Sequence, residues 1–242
     1  MHPYAIATFK ETAEGNTYVG RGIVIGKTAD SKKAAIAYFI MGRSENSRNR
    51  IFVENGEEVI IHPYDPSKVE DPSLIIYSPI RVIENNLIVT NGDQTDTIYD
   101  FVKDGKTFAE ALETRCFEPD SPNWTPRISG MLTFNEKDFT YQMSILKSAD
   151  AEGSACSRFT FSYPSLAGVG HFIHTYQHDG NPIPTFCGEP ERVSIPDCID
   201  CFTKEIWDAL DQNNRISLYV RYVDLESGEI ENRMINRYER KA

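Results

Sequence analysis

Residues 33–41 read KAAIAYFIM and are followed by Gly42. A short, nearly continuous apolar run that ends at a glycine is typical of a β-strand. The segment before it, residues 18–26 (YVGRGIVIG), is rich in Val and Ile and bounded by glycines, so it predicts another strand. Asn55-Gly56 then separates two further short runs, which is the signal of a hairpin. The first third of the chain therefore predicts a meander of antiparallel strands.

The same kinds of pattern continue outward from this region to the end of the chain. Strands are predicted over residues 51–54, 58–62, 74–84, 86–91, 127–134, 140–147, 159–163, 170–176, 216–223 and 231–238, and helices over 93–103, 107–114 and 203–210. No repeat, low-complexity tract or flexible linker interrupts them, so one domain over residues 1–242 is expected. Strand groups on both sides of a helix-rich middle predict an α+β fold built of layers.

Composition excludes several classes of protein. The chain has 242 residues, is 40% hydrophobic and carries a net charge of −11. A charge of this sign disfavours binding to nucleic acid, although a few converging arginines can still bind a small phosphorylated ligand. No apolar run approaches the ~20 residues of a membrane span, and no secretory signal is expected.

The five cysteines indicate the kind of cellular compartment in which the protein works. They are scattered and odd in number, which predicts free thiols in a reducing, cytoplasmic environment. Cys198 and Cys201 have CxxC spacing, but no second CxxC accompanies them. We therefore expect plain buried thiols at these two positions rather than a redox or zinc site.

One polar segment directly follows the strand at residues 33–41. Residues 42–50 read GRSENSRNR, with three arginines, two serines and two asparagines. Guanidinium groups match phosphate oxygens in a bidentate way, and hydroxyls add donors, so the segment predicts an anion site. The alternative is a solvated basic turn in an acidic protein.

Three more segments combine polar groups with turn formers. Tyr77 ends an apolar run beside a proline and could donate a hydrogen bond to a reacting oxygen, or simply cap a core strand. Residues 90–96 (TNGDQTD) could turn backbone amides toward an anion, or form an ordinary helix cap. The proline-stiffened loop 118–128 holds Glu118 and Asp120, which could act as a general acid or base, or have no function.

Other candidate sites carry less weight. His171, His174 and His178 lie in a segment that reads as strand and turn, so the first two should point to opposite faces and no metal site is expected. The sequence contains no Walker A motif, no GxGxxG opening a helix and no GxSxG elbow. A cofactor is therefore not indicated.

The ordered set of these segments resembles the archaeal-type IMP cyclohydrolase family over roughly residues 17 to 135. The elements that carry the resemblance are Tyr18-Val19-Gly20-Arg21, Gly42-Arg43-Ser44 to Asn49-Arg50, Tyr77 with Arg81, Asn91-Gly92, and Thr125-Pro126-Arg127-Ile128. The resemblance implies a four-layer αββα sandwich like that of N-terminal nucleophile hydrolases, with mostly antiparallel sheets. It also implies that the protein cyclises the formamido-imidazole-carboxamide ribonucleotide to IMP, without metal or cofactor. A homo-oligomer is expected as well.

The resemblance further implies roles for particular residues. Glu118 and Tyr77 match positions that carry the chemistry, and Asp120 is the alternative to Glu118. The ribonucleotide would be held by Arg21, Arg43, Ser44, Asn49, Arg50, Asn91 and Arg127. The loop of residues 180–186 would cover the substrate or make a subunit contact. Two alternatives stay open: an amide hydrolase whose nucleophile is Ser44 or Cys116, and a nucleotide-binding protein without catalysis.

Overall fold

The computed structural model describes residues 4–69 and 76–239 and confirms an α+β protein. The elements in chain order are α1 (Phe9–Ala13), β1 (Arg21–Lys27), β2 (Lys33–Met41), α2 (Glu45–Arg48), β3 (Ile51–Asn55), β4 (Glu58–His62), a 3₁₀ turn (Pro66–Lys68), β5 (Ile80–Ile83), β6 (Asn86–Thr90), α3 (Gln94–Lys103), α4 (Phe108–Glu113), β7 (Arg127–Phe134), β8 (Phe139–Ser148), β9 (Cys156–Pro164), β10 (Val169–His174), β11 (Glu191–Ser194), α5 (Ile199–Ala209), β12 (Arg215–Asp224) and β13 (Ile230–Asn236).

The strands form two sheets in which neighbouring strands run antiparallel. The six-stranded sheet has the order β11-β10-β1-β2-β12-β13, and the seven-stranded sheet is the consecutive meander β3-β4-β5-β6-β7-β8-β9. The meander predicted from the first third of the chain is therefore confirmed for β3 to β6. In contrast, β1 and β2 belong to the other sheet.

Strand β2 is apolar along its whole length because both of its faces are buried. Ile36, Tyr38 and Ile40 belong to the core cluster that also contains side chains from the seven-stranded sheet. The alternate residues Ala37 and Phe39 belong to a second cluster, with the side chains of α1 and α5. Since successive side chains of a strand point to opposite faces, a strand between two apolar layers needs a continuous apolar run.

Helices cover the outer faces of both sheets. Helices α1 and α5 share the second cluster with the six-stranded sheet, whereas α3 and α4 pack with Ile88, Met131 and Leu146 of the seven-stranded sheet in a third cluster. The inter-sheet core is thus flanked by two smaller cores. None of the described helices is long and apolar enough to cross a membrane.

Several element predictions need correction. The strand predicted over residues 74–84 is reduced to β5, and its first two residues lie outside the described part of the chain. Helix α1 and strand β11 were not expected, because five and four residues are too few to show periodicity. The segment after β2 contains α2, a helical turn rather than a simple turn, because Ser44 and Ser47 form a capping box.

The expectation of buried free thiols at the CxxC segment is wrong. Helix α5 begins at Ile199, four residues before the predicted start, so Cys198 occupies the capping position and Cys201 the first turn. Both residues are exposed, and their sulfurs are joined in a disulfide with Cα atoms 5.2 Å apart. The physical reason is that the first turn of a helix brings residues three apart onto one side.

Candidate functional site

The predicted site residues gather at one end of the two sheets. Arg21 is the first residue of β1, Arg50 directly precedes β3, and Tyr77 comes shortly before β5. Arg127 is the first residue of β7, and Glu118 lies in the loop that leads to it. Adjacent antiparallel strands of a meander alternate in direction, so strands two apart begin at the same end of a sheet. We call Arg21, Arg50, Tyr77, Glu118 and Arg127 the charged cluster.

Two guanidinium groups of the charged cluster are buried close to each other. Arg21 and Arg50 are each only 7% exposed. Burial lowers the pKa of Arg50, and the neighbouring charge of Arg21 lowers it further. Burial also acts to lower the pKa of Arg21, but the electrostatic influence of Tyr18 and Glu118 raises it above its ordinary value. Two buried positive groups that repel each other favour an anion between them.

Arg21 also has an unused hydrogen-bond donor. Its Nε atom is buried and finds no hydrogen-bond partner among the described residues, and the same holds for Nε of Arg127. A buried donor without a partner costs free energy that a bound acceptor would recover. These two donors therefore point to a ligand that carries oxygen acceptors.

The carboxyl group of Glu118 lies within electrostatic reach of all three arginines. Burial raises its pKa above the ordinary value, and the attraction of Arg21, Arg127 and Arg50 opposes that rise. A carboxyl whose proton affinity is increased by burial and tuned by neighbouring cations is a candidate for exchanging protons with a substrate.

Tyr77 pairs with a second tyrosine that the sequence analysis did not select. Its hydroxyl lies 3.1 Å from the hydroxyl of Tyr38, and both rings are buried. Burial raises the pKa of both phenols, so both stay protonated and one can donate to the other. Tyr38 was missed because it lies inside the apolar run of β2. The available signal was its position on the same face of β2 as Ile36 and Ile40, three residues before the end of that strand.

The proline-stiffened loop is closed by Asp120 and Thr125. Both carboxylate oxygens of Asp120 accept hydrogen bonds from Thr125, one from its backbone N–H at 2.6 Å and the other from its hydroxyl. The Thr125 hydroxyl also lies 2.6 Å from the hydroxyl of Tyr176, and the N–H of Glu118 donates to the carbonyl of Thr125 at 2.9 Å. Asp120 thus holds the loop that carries Glu118.

Arg127 is fixed in place by two residues at the start of α3, the capping residue Asp93 and Gln94. Its Nη1 donates to the side-chain oxygen of Gln94 at 2.7 Å and lies 2.6 Å from a carboxylate oxygen of Asp93. Gly92 makes this placement possible, because a Cβ at that position would overlap both the guanidinium and the Gln94 oxygen. Gln94 lies in the candidate segment 90–96, but its burial and its contact with Arg127 are apparent only in three dimensions.

Two predicted ligand residues bond to backbone groups instead of facing an open site. The amide of Asn49 donates to the carbonyl of Asp65 at 2.9 Å and accepts from its N–H at 2.8 Å. The amide of Asn91 donates to the carbonyl of Pro126 at 2.9 Å and accepts from the N–H of Ile128 at 2.8 Å. Both side chains are 1% exposed, so they join segments of backbone beside the charged cluster.

Arg43 and Ser44 lie farther out, at the surface. Arg43 stacks over the ring of Tyr18 at 5.0 Å, pairs with Asp179 and donates to the carbonyl of Gly180 at 2.9 Å. Ser44 is exposed and caps α2 by accepting from the N–H of Ser47 at 3.1 Å. Arg43 therefore ties the start of the 180–186 loop to the rim of the site, through the Tyr18 ring that also stacks on Tyr176.

The structure also places the histidines that the sequence analysis considered as metal ligands. His171 and His174 lie on β10 with opposite orientation, as predicted: the first bonds to Tyr141, which belongs to the inter-sheet core, and the second stacks on Phe172 of the other core. Within residues 4–69 and 76–239, no group of three or more His, Cys, Asp or Glu side chains could hold a metal ion.

Fold and site together define an α+β protein with two antiparallel sheets. At one end of the sheets lies an arginine-rich polar cluster in which some buried hydrogen-bond donors have no partner among the described residues. Residues 18–228 match the model of the family described as IMP cyclohydrolase-like protein. The chain belongs to this family, which confirms the resemblance seen in the sequence.

Curated relatives agree with the family match. The IMP cyclohydrolase of Methanothrix thermoacetophila is 35% identical over 120 residues, which are 48% of this chain and 58% of that protein. The IMP cyclohydrolase of Methanopyrus kandleri is 34% identical over 147 residues, covering 56% of this chain and 72% of the relative. That of Methanocaldococcus jannaschii is 35% identical over 121 residues, covering 49% and 58%. The match thus spans less than two thirds of the length of the first of these relatives.

Proposed function

We propose that this protein closes the second ring of a purine ribonucleotide, converting the formamido-imidazole-carboxamide ribonucleotide to IMP. The observation that carries the proposal is the charged cluster, in which two buried guanidinium groups, one carboxyl with a raised pKa and one buried phenol converge in a chain of the IMP cyclohydrolase-like family. The names of the curated relatives support the same reaction.

The reaction joins two groups of one molecule. The carboxamide nitrogen attacks the formyl carbon and a C–N bond forms. The C–O bond then breaks, and the formyl oxygen leaves as water with one proton from the carboxamide nitrogen and one from the formamido nitrogen. Both partners already belong to the substrate, so the protein has to hold the rotatable groups in a reactive arrangement. Such positioning is worth several kcal/mol of the barrier, of the order of 7–11 in the best intramolecular cases.

Proton transfer is the second requirement. An amide nitrogen is a weak nucleophile and hydroxide is a poor leaving group, so one group must take the amide proton and supply a proton to the departing oxygen. We assign this role to Glu118, whose raised pKa suits both directions. Tyr77 donates a hydrogen bond to the formyl oxygen as negative charge develops there.

The arginines bind the anionic end of the substrate in this proposal. Arg21, Arg50 and Arg127 supply the buried donors, and Arg43 with Ser44 extends positive charge and a hydroxyl to the rim. Asn49 and Asn91 act by fixing the backbone on which the arginines stand. We further propose that residues 1–242 form one domain with the four-layer αββα arrangement of N-terminal nucleophile hydrolases, and that it works in the cytoplasm as a homo-oligomer.

The test is direct conversion of the substrate. Purified protein is incubated with the formylated precursor, and IMP formation is followed by absorbance. Glu118→Gln should lower kcat by at least tenfold, because general acid–base catalysis contributes about 10²–10⁴-fold, while the ribonucleotide still binds. Glu113→Gln, at an exposed position at the end of α4, is the matched control and should retain wild-type turnover.

Other results would redirect the assignment. Full activity of Glu118→Gln combined with loss in Asp120→Asn would transfer the proton-transfer role to Asp120. Labelling of Ser44 or Cys116 by an electrophilic substrate probe would favour the amide hydrolase. Tight ribonucleotide binding without any IMP formation would favour the non-catalytic binding protein.

A further inference from the structure

Strand β9 is the outer strand of the seven-stranded sheet and pairs on one side only. It runs for nine residues beside β8, and no other strand in the described part of the chain pairs with its outer edge. A free edge exposes a row of backbone N–H and C=O groups that can pair with another chain.

One face of β9 is apolar and half uncovered. Phe159, Phe161 and Tyr163 lie opposite Ile145, Met143 and Tyr141 of β8, which are buried in the inter-sheet core. The β9 side chains therefore continue that core outward, yet Phe159 is still 45% exposed. Leu166, just after the strand, is 53% exposed, and Tyr163 lines a groove of about 1040 Å³ with exposed Tyr4 and Ile6.

The usual protections of an edge strand are weak here. In natural proteins, short length, bulges, prolines or charged side chains prevent an edge strand from pairing with another chain. Strand β9 pairs with β8 without interruption, has a proline only at its last position, and carries no acidic residue in a chain of net charge −11. Its single charge, Arg158, is folded back onto the carbonyls of Cys156 and Arg115.

The centre of β9 carries one symmetric pair of aromatic residues, Phe159 and Phe161, on either side of Thr160. The strand reads S-R-F-T-F-S-Y over residues 157–163, with Thr160 in the middle of two phenylalanines. A twofold axis through Thr160 would place each Phe159 opposite Phe161 of the partner subunit, on the apolar face. Aromatic pairs directly opposite each other stabilise antiparallel strands, and a twofold interface uses the same surface on both subunits.

We propose that two copies of this chain associate by antiparallel pairing of their β9 strands about Thr160, which joins the two seven-stranded sheets into one continuous sheet. The acidic surfaces elsewhere repel a second copy, whereas this strand presents none of that charge. The pairing satisfies the open backbone edge and covers Phe159 and Phe161. This inference specifies the proposed homo-oligomer and does not depend on the proposed reaction.

The first test measures the mass of the full-length protein in solution. Light scattering or sedimentation over a range of protein concentrations should show a dimer or an even-numbered assembly. Phe159→Lys should raise the dimer dissociation constant at least about tenfold, since it puts two like charges beside the axis. The matched control is Ile76→Lys, because Ile76 is 43% exposed and lies away from β9. A monomeric wild type, or a Phe159→Lys variant as dimeric as the control, would refute the proposal.

The second test reads the register and does not depend on how Phe159→Lys folds. Thr160→Cys places two thiols directly opposite each other, with Cα atoms about 4.5–5.5 Å apart, within the range that a disulfide spans on oxidation. Ser162→Cys places them about four residues apart along the strands, roughly 13 Å, which a disulfide cannot span. Both positions are exposed in the single chain. Covalent dimers should form in the first variant only, against the wild-type background. Equal cross-linking of the two, or none in Thr160→Cys, would overturn the pairing.

Discussion

Acid should destabilise this protein through His171, which is buried as a neutral side chain on β10. It is 7% exposed, its Nδ1 lies 2.6 Å from the hydroxyl of Tyr141, and its ring stacks on Tyr163 with centroids 3.6 Å apart. Burial lowers its pKa from the ordinary 6.5 to about 4, and the nearby charge of Arg192 contributes in the same direction. The proton is thus bound more weakly in the folded state than in the unfolded state.

The sign and size of the effect follow from these two pKa values. A depressed histidine pKa leaves the stability unchanged above pH 6.5 and lowers it progressively as the pH falls from 6.5 toward about 4, because the unfolded state takes up the proton first. Each pKa unit corresponds to 1.36 kcal/mol, so the loss attributable to His171 is about 2 kcal/mol near pH 5 and about 3 kcal/mol near pH 4.

The assay is urea unfolding at pH 7 and near pH 5, with His171→Gln compared to the wild type. Glutamine keeps an acceptor for the Tyr141 hydroxyl but does not titrate in this range. The variant should therefore lose about 2 kcal/mol less than the wild type between the two pH values. His178→Gln, at an exposed position, is the control and should follow the wild type. If His171→Gln lost as much stability as the wild type on acidification, a neutral buried imidazole could not be the cause.

Three further predictions concern the site. Among the cations that lower the pKa of Glu118, Arg21 has the largest effect, so Arg21→Gln should raise that pKa and move the acidic limb of the kcat/KM profile to higher pH. Movement to lower pH would contradict the electrostatic influence of Arg21 on Glu118. Gly92→Ala should displace the Arg127 guanidinium and raise KM roughly tenfold or more, measured by steady-state kinetics, with an unchanged KM as the contrary result. Asn49→Ala should lower the free energy of unfolding by about 2–4 kcal/mol in urea titrations, because two buried hydrogen bonds to backbone groups are lost. A loss below about 0.5 kcal/mol would show that the amide is dispensable.

The sequence predicts most strands of this fold for a simple physical reason. Strands that lie between two apolar layers, such as β2, read as continuous apolar runs, and the Asn55-Gly56 turn marks the hairpin of β3 and β4. The assignment of strands to sheets could not be predicted in the same way. Strands β1 and β2 are paired with β10 and β12, more than a hundred residues away, and no local pattern records that pairing.

The charged cluster was accessible from the sequence because four of its five members lie at or just before the start of a strand, and the fifth, Glu118, lies in the loop that leads to β7. An antiparallel meander brings such positions together, so Arg50, Tyr77 and Arg127 could be expected at one end once the strands were assigned. Tyr38 and Gln94 could not, because their contribution depends on which strand or helix packs beside them.

Asn49 and Asn91 show where residue type alone misleads. An amide side chain offers one acceptor and an adjacent donor, and this is the same pair of groups that a backbone segment presents in its carbonyl and N–H. A buried asparagine can therefore form hydrogen bonds with the backbone at a strand end as fully as with a ribonucleotide. Either role places it beside the site. The structure distinguishes them: each amide already donates to a carbonyl and accepts from an N–H of the neighbouring loop. Replacing either asparagine should consequently affect substrate binding indirectly, by shifting Arg50 or Arg127, which the two asparagines hold at the strand ends.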